Sequence, residues 1–291
     1  MIVWCSGQYS DGQAVIAADD RGFTLGDGVF ETIAISDGHL EYWPDHRERL
    51  LKGLRCLDIT PPKELALVPE IAKELWDRNQ TQRRSVVRIT ISRGRGGQGL
   101  NPGQSSSPSI SVVLKALATP AQGKRSLFIS KKYNRYRDGF ESFKFIGGYG
   151  QNIGALAEAK SQGATDALLL SPDGKLVCAT SANVYIVQPS GNVFTPPECD
   201  GALPGVIRKV LLQRSKHVQE KSLAVGELKS AIILLSNSVV GIVEGELIAT
   251  PTNFDGNLNT YEDLNMEYHQ RQQDIVNELK RCLRTDPNRF E

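Results

Sequence analysis

The sequence predicts a mixed α/β (or α+β) protein built from two domains. Its 291 residues suffice for one large domain or two ordinary ones, since a domain usually holds ~100–200 residues. Runs typical of strands alternate with runs of helical periodicity in both halves of the chain. Between the halves, residues 119–125 lack periodicity and form the predicted linker. It separates an N-terminal α/β domain, residues 1–118, from a C-terminal domain, residues 126–291.

The composition is that of an ordinary globular protein, with 40% hydrophobic and 23% charged residues. Because the formal net charge is only +1, we expect neither a nucleic-acid partner nor a membrane partner. The five cysteines form no CxxC pair and the four histidines are dispersed, so no disulfide framework and no metal site is predicted. No apolar run reaches the ~18 residues that span a bilayer, and no signal-peptide pattern is present. A protein of the reducing cytoplasm is expected.

Local patterns predict the elements of the N-terminal half. The predicted strands are residues 15–18, 28–35, 39–43, 86–93 and 109–114. Asp37 and Gly38 form the predicted turn of a hairpin. Leucines at helical spacing predict a helix over residues 44–57, and a second helix is predicted over residues 63–78.

The C-terminal half continues to mix helices and strands. The predicted strands are residues 127–133, 167–170, 176–178, 182–188 and 231–236. The predicted helices are residues 152–162, 205–217 and 261–283. Gly163 and Pro204 mark two of the helix boundaries. The last helix is long and polar, and its sequence indicates no role.

Lys144 is the most informative lysine, because it lies in a largely uncharged stretch, residues 142–149. A lysine among apolar neighbours has a depressed pKa, and a neutral amine can form a Schiff base. The same stretch also fits a lysine at a strand edge whose ammonium group reaches water.

Three other positions could bind a phosphate. Arg49 lies on one face of the predicted helix over residues 44–57 and could offer a planar guanidinium, although that face could equally be solvated. The helix predicted to begin at Gly205 has unpaired N–H groups at its start, as every helix does. Ser238 belongs to a polar strand end that could hold a phosphate or merely turn the chain.

Arginines crowd residues 78–95, and Arg93, Gly94 and Arg95 superficially resemble an RGG nucleic-acid segment. No aromatic residues are interleaved and the repeat does not continue, so a loop facing solvent or a small acidic substrate is the better interpretation. Cys178 could act as a nucleophile, but no histidine lies near it in sequence, which favours a buried structural cysteine.

In chain order, these segments resemble the fold-type-IV pyridoxal-phosphate enzymes, which form the class IV aminotransferase family. The resemblance extends from about residue 19 to residue 243. Residues 20–32, DRGFTLGDGVFET, are similar to the family's opening motif, and residues 43–50 match its W-x-x-H-x-x-R-L helix. Lys144 matches the Schiff-base lysine. Asn183 matches the strand motif S-x-N-[ILV]-[FY], and residues 205–208 match the phosphate-binding helix start.

The resemblance implies a fold, a cofactor and a set of site residues. The fold would have a smaller N-terminal α/β domain and a larger C-terminal α/β barrel-like domain, in a homodimer. The cofactor would be pyridoxal 5'-phosphate, with Lys144 as the catalytic residue and a small anionic amino compound as the substrate. The implied cofactor-binding residues are Arg49, Lys144, Cys178, Val206, Ile207 and Ser238. The implied substrate-binding residues are Phe30, Arg93, Arg95 and Gln98.

Residues 91–102, ISRGRGGQGLNP, resemble the loop of aminodeoxychorismate lyases, typically I-S-R-G-x-G-G-R-G-Y-x-P. This resemblance favours conversion of 4-amino-4-deoxychorismate to 4-aminobenzoate plus pyruvate, a folate-pathway reaction, over a branched-chain or D-amino-acid aminotransferase. Gln98 and Leu100 replace an arginine and a tyrosine of the lyase loop, so carboxylate binding would pass to Arg93 or Arg95. Cys178 replaces a glutamate that pairs with the pyridine nitrogen, and a cofactor-binding protein with reduced catalysis is therefore a third hypothesis.

Overall fold

The computed structural model describes residues 1–12, 15–81, 84–103, 107–117, 123–137, 139–229, 231–248 and 266–290. By their contacts, the residues group into two compact units. The first unit is Met1–Pro120, Ser142–Tyr149 and Pro287–Glu291, and the second is Ala121–Glu141 and Gly150–Asp286. Within the described ranges, no helix has both the length and the apolar character that crossing a membrane requires.

An antiparallel sheet organises the first unit. Its described strands are β1 (Ile2–Cys5), β2 (Gln8–Asp11), β3 (Gly28–Ser36), β4 (His39–Leu40), β5 (Ser85–Ser92) and β6 (Ser109–Ala116). The strand order is β2-β1-β6-β5-β3-β4, and every pairing is antiparallel. The described helices are α1 (Arg21–Leu25), α2 (Trp43–Cys56) and α3 (Val68–Arg78).

One face of this sheet packs against α2 and α3. Val29 and Ile33 of β3 belong to a core that also includes residues of α2 and α3. Because successive side chains of a strand alternate between its two faces, Phe30 and Thr32 lie on the opposite face. Thr32 pairs with Arg88 of β5, so Arg88 shares that opposite face.

Three predictions for the first unit are wrong in detail. The strand predicted over residues 39–43 ends at Leu40, because α2 already begins at Trp43. The strand predicted over residues 15–18 is absent, and Val15 and Ile16 are exposed in a loop. Instead, β1 and β2 form a hairpin whose turn, Ser6 and Gly7, has positive φ at both residues, as tight hairpins prefer. The helix predicted over residues 63–78 begins as a 3-10 turn and becomes α3 only at Val68, since the following proline cannot continue a preceding helix.

The second unit contains a larger mixed sheet. Its described strands are β7 (Arg125–Asn134), β8 (Asp166–Leu170), β9 (Lys175–Ala179), β10 (Asn183–Val187), β11 (Val193–Thr195), β12 (Val218–Glu220), β13 (Leu223–Ala224), β14 (Ile232–Asn237) and β15 (Gly241–Leu247). The strand order is β12-β11-β10-β14-β15-β7-β8-β9-β13. A further pairing of β10 with β9 closes six of these strands into a ring, so the predicted barrel-like domain is confirmed.

Helices α4 (Gly150–Ser161), α5 (Val206–Arg214) and α6 (Met266–Arg284) complete the second unit. A buried cluster that includes Leu127, Leu168 and Leu235 draws on several strands of the ring. Part of the predicted linker, residues 119–122, lies outside the described residues. So do residues 261–265 of the predicted last helix.

Gly53 fixes how closely α2 approaches its neighbours. A Cβ at this position would lie 2.7 Å from Phe143 Cδ2 and 2.8 Å from Val29 Cγ1. We predict that Gly53→Val lowers the free energy of unfolding by ~1–3 kcal/mol, because overpacking forces the core to shift. Urea denaturation measures the effect.

The control is Lys52→Val, which places the same β-branched side chain at the neighbouring exposed position of α2. Its expected change is ~0.5 kcal/mol, mostly from helix propensity. Equal losses in the two variants would contradict the packing explanation.

Candidate active site

Glu31 is the centre of a buried charged cluster formed by β3 and α2. Its side chain is 1% exposed. Arg49 donates from Nε to Oε1 at 2.6 Å and from Nη2 to Oε2 at 2.8 Å, and His46 Nδ1 lies 2.8 Å from Oε2. His46 and Arg49 are three residues apart on one helix face, so both reach the same carboxylate. Arg49 is therefore an interior residue and does not belong to a solvated face.

The charges of this cluster are set by burial and pairing. Burial alone would raise the pKa of Glu31, but the charge of Arg49 and the hydrogen bonds from Arg49 and His46 hold it well below its ordinary value. Burial lowers the pKa of His46, against the opposing charge of Glu31. The imidazole is thus neutral near neutral pH, and Nδ1 carries the proton that it donates to Glu31.

Lys144 is anchored beside β3. Phe30 N–H donates to the Lys144 carbonyl oxygen at 3.0 Å, and Val29 pairs with Phe145 in an isolated bridge. The ammonium Nζ lies 5.2 Å from the centre of the Phe30 ring. These two backbone contacts hold Lys144, whose neighbours in sequence are mostly apolar, next to the Glu31 cluster.

The environment of Lys144 favours its neutral form. Burial lowers the pKa of Lys144 to about 8, helped by the charges of Arg49 and Arg88 and opposed by the charge of Glu31. An ordinary lysine titrates near 10.4, so a far larger share of this amine is unprotonated near neutral pH. The arrangement fits a nucleophilic amine better than a hydrated ammonium group.

Arg88 is a second cation near Lys144, and the sequence did not single it out. Its Cζ lies 3.9 Å from the centre of the Phe30 ring. The centres of the Phe30 and Tyr149 rings are 5.2 Å apart. Arg88 is exposed, and no carboxylate pairs with it in the part of the chain that the structure describes. The alternation of apolar residues in β5 was the available signal, because it places Arg88 on the face opposite the core.

The glycine-rich loop after β5 is held by two buried arginines. Arg93 donates to Asp27 at 2.7 Å and to two backbone carbonyl oxygens. Arg21 donates to Asp27 at 2.9 Å and to the carbonyl oxygens of Gly99 and Leu100. Asp27 therefore accepts hydrogen bonds from two guanidinium groups. Arg93 ties the start of the loop to Asp27, and Arg21 ties its tip to the same residue.

The remaining predicted loop residues lie at the surface. Arg95 is exposed and pairs with Asp19 at 2.7 Å. Gln98 is exposed, and its backbone exchanges hydrogen bonds with that of Asn101 across the loop tip. Of the three polar loop residues expected to bind substrate, Arg93 is thus directed inward, whereas Arg95 and Gln98 are directed outward.

The second unit contains the other predicted cofactor-binding residues. Val206 and Ile207 begin α5, whose first residue is preceded by Gly205 without any side-chain cap. The first N–H groups of such a helix point outward along its axis. A Cβ on Gly205 would lie 1.9 Å from Asn183 Oδ1, so a side chain at this position would displace the Asn183 amide. Ser238, after β14, is buried.

Cys178 is buried on β9, where it pairs with Asn183 of β10. Burial raises the pKa of its thiol to about 11, and the nearby charge of Asp166 acts in the same direction. Arg135 opposes these effects without reversing them. Cys178 is therefore a neutral thiol at physiological pH.

A family model for amino-transferase class IV matches residues 28–248. The match covers most of the chain, and the protein belongs to the class IV aminotransferase family.

Individual relatives have different activities. The aminodeoxychorismate lyase of Vibrio harveyi is 27% identical over 271 residues, covering 85% of this chain and 97% of the relative. A bifunctional aminodeoxychorismate lyase / D-amino acid transaminase of Mycobacterium tuberculosis is 27% identical over 231 residues, covering 73% of this chain and 77% of the relative. The solved structure of a branched-chain aminotransferase from Thermoproteus uzoniensis superposes with a TM-score of 0.82 at 20% identity, covering 99% of this chain and 96% of that structure. The two proteins therefore share a fold.

Enzymes of this family use pyridoxal phosphate, so the predicted cofactor is confirmed. The structure contains groups that fit it. Lys144 offers an amine with a lowered pKa, and Arg49 offers a buried guanidinium. The uncapped start of α5, where a Cβ on Gly205 would not fit, offers N–H groups to an anion.

The importance of the Glu31 cluster can be measured directly. We predict that Glu31→Gln lowers the free energy of unfolding by ~3–5 kcal/mol, because Arg49 is left buried without a negative partner. Urea denaturation of the two proteins gives the difference.

The control is Glu74→Gln, which removes the same charge from an exposed ion pair with Arg78. The expected loss is at most ~0.5 kcal/mol, as for other surface pairs within a helix. If Glu31→Gln costs no more than this control, the cluster does not have the role assigned to it.

Proposed function

We propose that the protein is a pyridoxal-phosphate-dependent lyase that converts 4-amino-4-deoxychorismate to 4-aminobenzoate and pyruvate, which supplies a folate precursor. The observation that carries the proposal is Arg88, an exposed cation without a carboxylate partner among the described residues, near Lys144. The substrate has two carboxylates, and Arg95 would bind the second by exchanging its exposed partner Asp19, from which it lies 2.7 Å. The lyase-like sequence of residues 91–102 and the Vibrio harveyi relative support the same conclusion.

Lys144 is the proposed catalytic residue. When bound, pyridoxal phosphate withdraws electrons from the carbon that bears the substrate amine, which makes the proton on that carbon acidic. With a pKa of about 8, the Lys144 amine can accept this proton near neutral pH and return it to the substrate. Glu31 keeps Arg49 in a fixed orientation, and Arg49 is proposed to bind the phosphate.

The remaining roles follow from position and chemistry. In the second unit, the N–H groups of Val206 and Ile207 and the hydroxyl of Ser238 are proposed phosphate ligands, and Cys178 is the proposed neighbour of the pyridine nitrogen. On the substrate side, Phe30 orients Arg88 by stacking, and Arg88, Arg95 and Gln98 bind the polar groups of the substrate. Arg93 holds the loop. The proposed enzyme is a homodimer.

A class IV aminotransferase is the second candidate. One similar protein, from Mycobacterium tuberculosis, is named for both activities, which supports keeping this candidate beside the lyase. The same residues would move the same proton, and a keto acid would be the product. A branched-chain or D-amino acid would then be the substrate, and Arg88 would bind its single carboxylate.

A turnover panel separates the candidates. Purified protein is supplied in turn with aminodeoxychorismate, branched-chain amino acids and D-alanine, with a keto-acid acceptor in the last two assays. The proposal predicts release of 4-aminobenzoate and pyruvate from the first and little keto acid from the others. Amino-group transfer without 4-aminobenzoate would replace the lyase by the aminotransferase. No turnover with any of them would favour a cofactor-binding protein with reduced catalysis.

Arg88 gives a prediction about substrate affinity. Arg88→Leu is expected to raise KM for an anionic substrate by ~10–100-fold, because a charge-assisted hydrogen bond contributes ~1.5–3 kcal/mol. The control is Arg47→Leu, which removes an exposed arginine of α2 and is expected to leave KM unchanged. Steady-state kinetics of both variants test the assignment, and an unchanged KM in Arg88→Leu would exclude it.

Cys178 gives a prediction about rate. A neutral thiol cannot keep the pyridine nitrogen protonated as a carboxylate can, and a protonated ring accepts electrons better. We therefore expect Cys178→Glu to accelerate proton removal by up to ~100–1000-fold, by analogy with the loss of a transition-state charge interaction. The neutral control Cys178→Gln should give no gain. If Glu and Gln variants react equally and their visible spectra titrate alike, Cys178 does not act on the ring nitrogen.

A further inference from the structure

Residues Pro287–Phe290 form a 3-10 turn that belongs to the first unit and contacts the start of α2. The carbonyl oxygen of Arg289 accepts a hydrogen bond from Tyr42 N–H at 2.7 Å. The Arg289 side chain donates from Nη2 to Glu41 Oε1 at 2.9 Å. One residue thus contacts two consecutive residues immediately before α2, one through its main chain and the other through its side chain.

The contact to Glu41 is part of a buried cluster. The side chain of Glu41 is 3% exposed and accepts from Arg84 through both oxygens, at 2.8 and 3.0 Å, and from Ser36 Oγ at 2.8 Å. Burial raises the pKa of Glu41, but the hydrogen bonds from Arg84 and Arg289 outweigh burial and bring the pKa below its ordinary value. The carboxylate therefore stays ionised. Loss of Arg289 would leave this buried charge less well neutralised.

The contact to Tyr42 holds an unfavourable backbone conformation. Tyr42 is the N-cap residue of α2, with φ 56° and ψ 37°, and no side chain caps this helix start. A residue with a side chain pays ~1–2 kcal/mol in this left-handed region. Such conformations persist only where the surroundings enforce them, and the hydrogen bond to Arg289 is one such constraint.

The start of α2 determines where its functional side chains lie. His46 N–H donates to the Tyr42 carbonyl oxygen at 3.2 Å in the first turn, and Arg49 follows one turn later. We propose that Arg289 is a positioning residue, which fixes the first turn of α2 and so keeps His46 and Arg49 in place against Glu31. Arg289 lies beyond residues 28–248, which the family model matches.

The test compares the holoenzyme with three variants. Arg289→Ala removes the contact to Glu41, Arg289→Lys retains a cation, and Arg284→Ala removes an exposed arginine from α6 as the control. Hydrogen exchange by mass spectrometry follows the amides of residues 43–50. Pyridoxal phosphate binding to the apoenzymes is measured in parallel. This second arm rests on the proposed phosphate-binding role of Arg49, whereas the exchange arm does not.

Arg289→Ala is expected to speed exchange in the first turn of α2 and to weaken cofactor binding, each by about tenfold, equivalent to ~1.4 kcal/mol. Arg289→Lys retains a cation beside Glu41, and Arg284→Ala changes an exposed residue of α6. Both variants should therefore stay within about twofold of the parent. Exchange in Arg289→Ala equal to that in Arg284→Ala, or no rescue by lysine, would overturn the proposal. Faster exchange with unchanged binding would overturn the role of Arg289 if Arg49→Ala weakens binding in the same assay, and the phosphate-binding role of Arg49 if it does not. A parent protein that does not bind the cofactor would instead overturn the proposed function, and the exchange arm would still decide the role of Arg289.

Discussion

The buried pair of Glu31 and Arg49 is the interaction on which the candidate active site depends. It joins α2 to β3, and β3 in turn holds Lys144 through the Phe30 N–H group. Removing a carboxylate and a guanidinium from water is costly, and a pair of this kind contributes little net stability by itself. Its effect is to make one arrangement of helix and strand far better than the others, because any shift of α2 would separate two buried charges.

The same cluster connects positioning with acid–base chemistry. Glu31 opposes the influence of Arg49, Arg88 and burial on Lys144, and the balance leaves a lysine with a pKa of about 8. Without Glu31, that pKa would fall further and Arg49 would lose its fixed orientation. A single carboxylate thus limits how far burial lowers the pKa of the amine, and it also fixes the direction of the guanidinium. His46, held neutral by burial, supplies the second donor without adding a charge.

Much of the fold could be predicted from the sequence where periodicity is strong. The sequence predicts the helix around Arg49 and the strand that contains Glu31 to within a residue of their ends. Leucines at helical spacing mark the helix, and an apolar run that ends before the turn at Asp37 and Gly38 marks the strand. The sequence pattern does not predict the polar strand β2, and it predicts a strand over residues 15–18, where the apolar run pairs with none of the described strands. Short apolar runs do not reveal whether another strand lies beside them.

The candidate site shows the same division. Lys144 and Arg49 could be singled out because they match family motifs, although neither the partner of Arg49 nor the pKa of Lys144 can be read from neighbouring residues. Arg88 requires the pairing of β5 with β3, which joins positions far apart in sequence. Arg93 lies in a loop that suggested substrate contact, yet tertiary contacts turn it toward Asp27.

Lys144 is the residue proposed to bond to the cofactor, and every other proposed role depends on it. The most direct measurement is borohydride reduction of the purified protein, followed by proteolysis and mass spectrometry. Reduction is expected to remove the visible absorption band and to leave one pyridoxyl group, attached to Lys144. A pyridoxyl group on any other lysine, or no label on a protein that retains the cofactor, would contradict it.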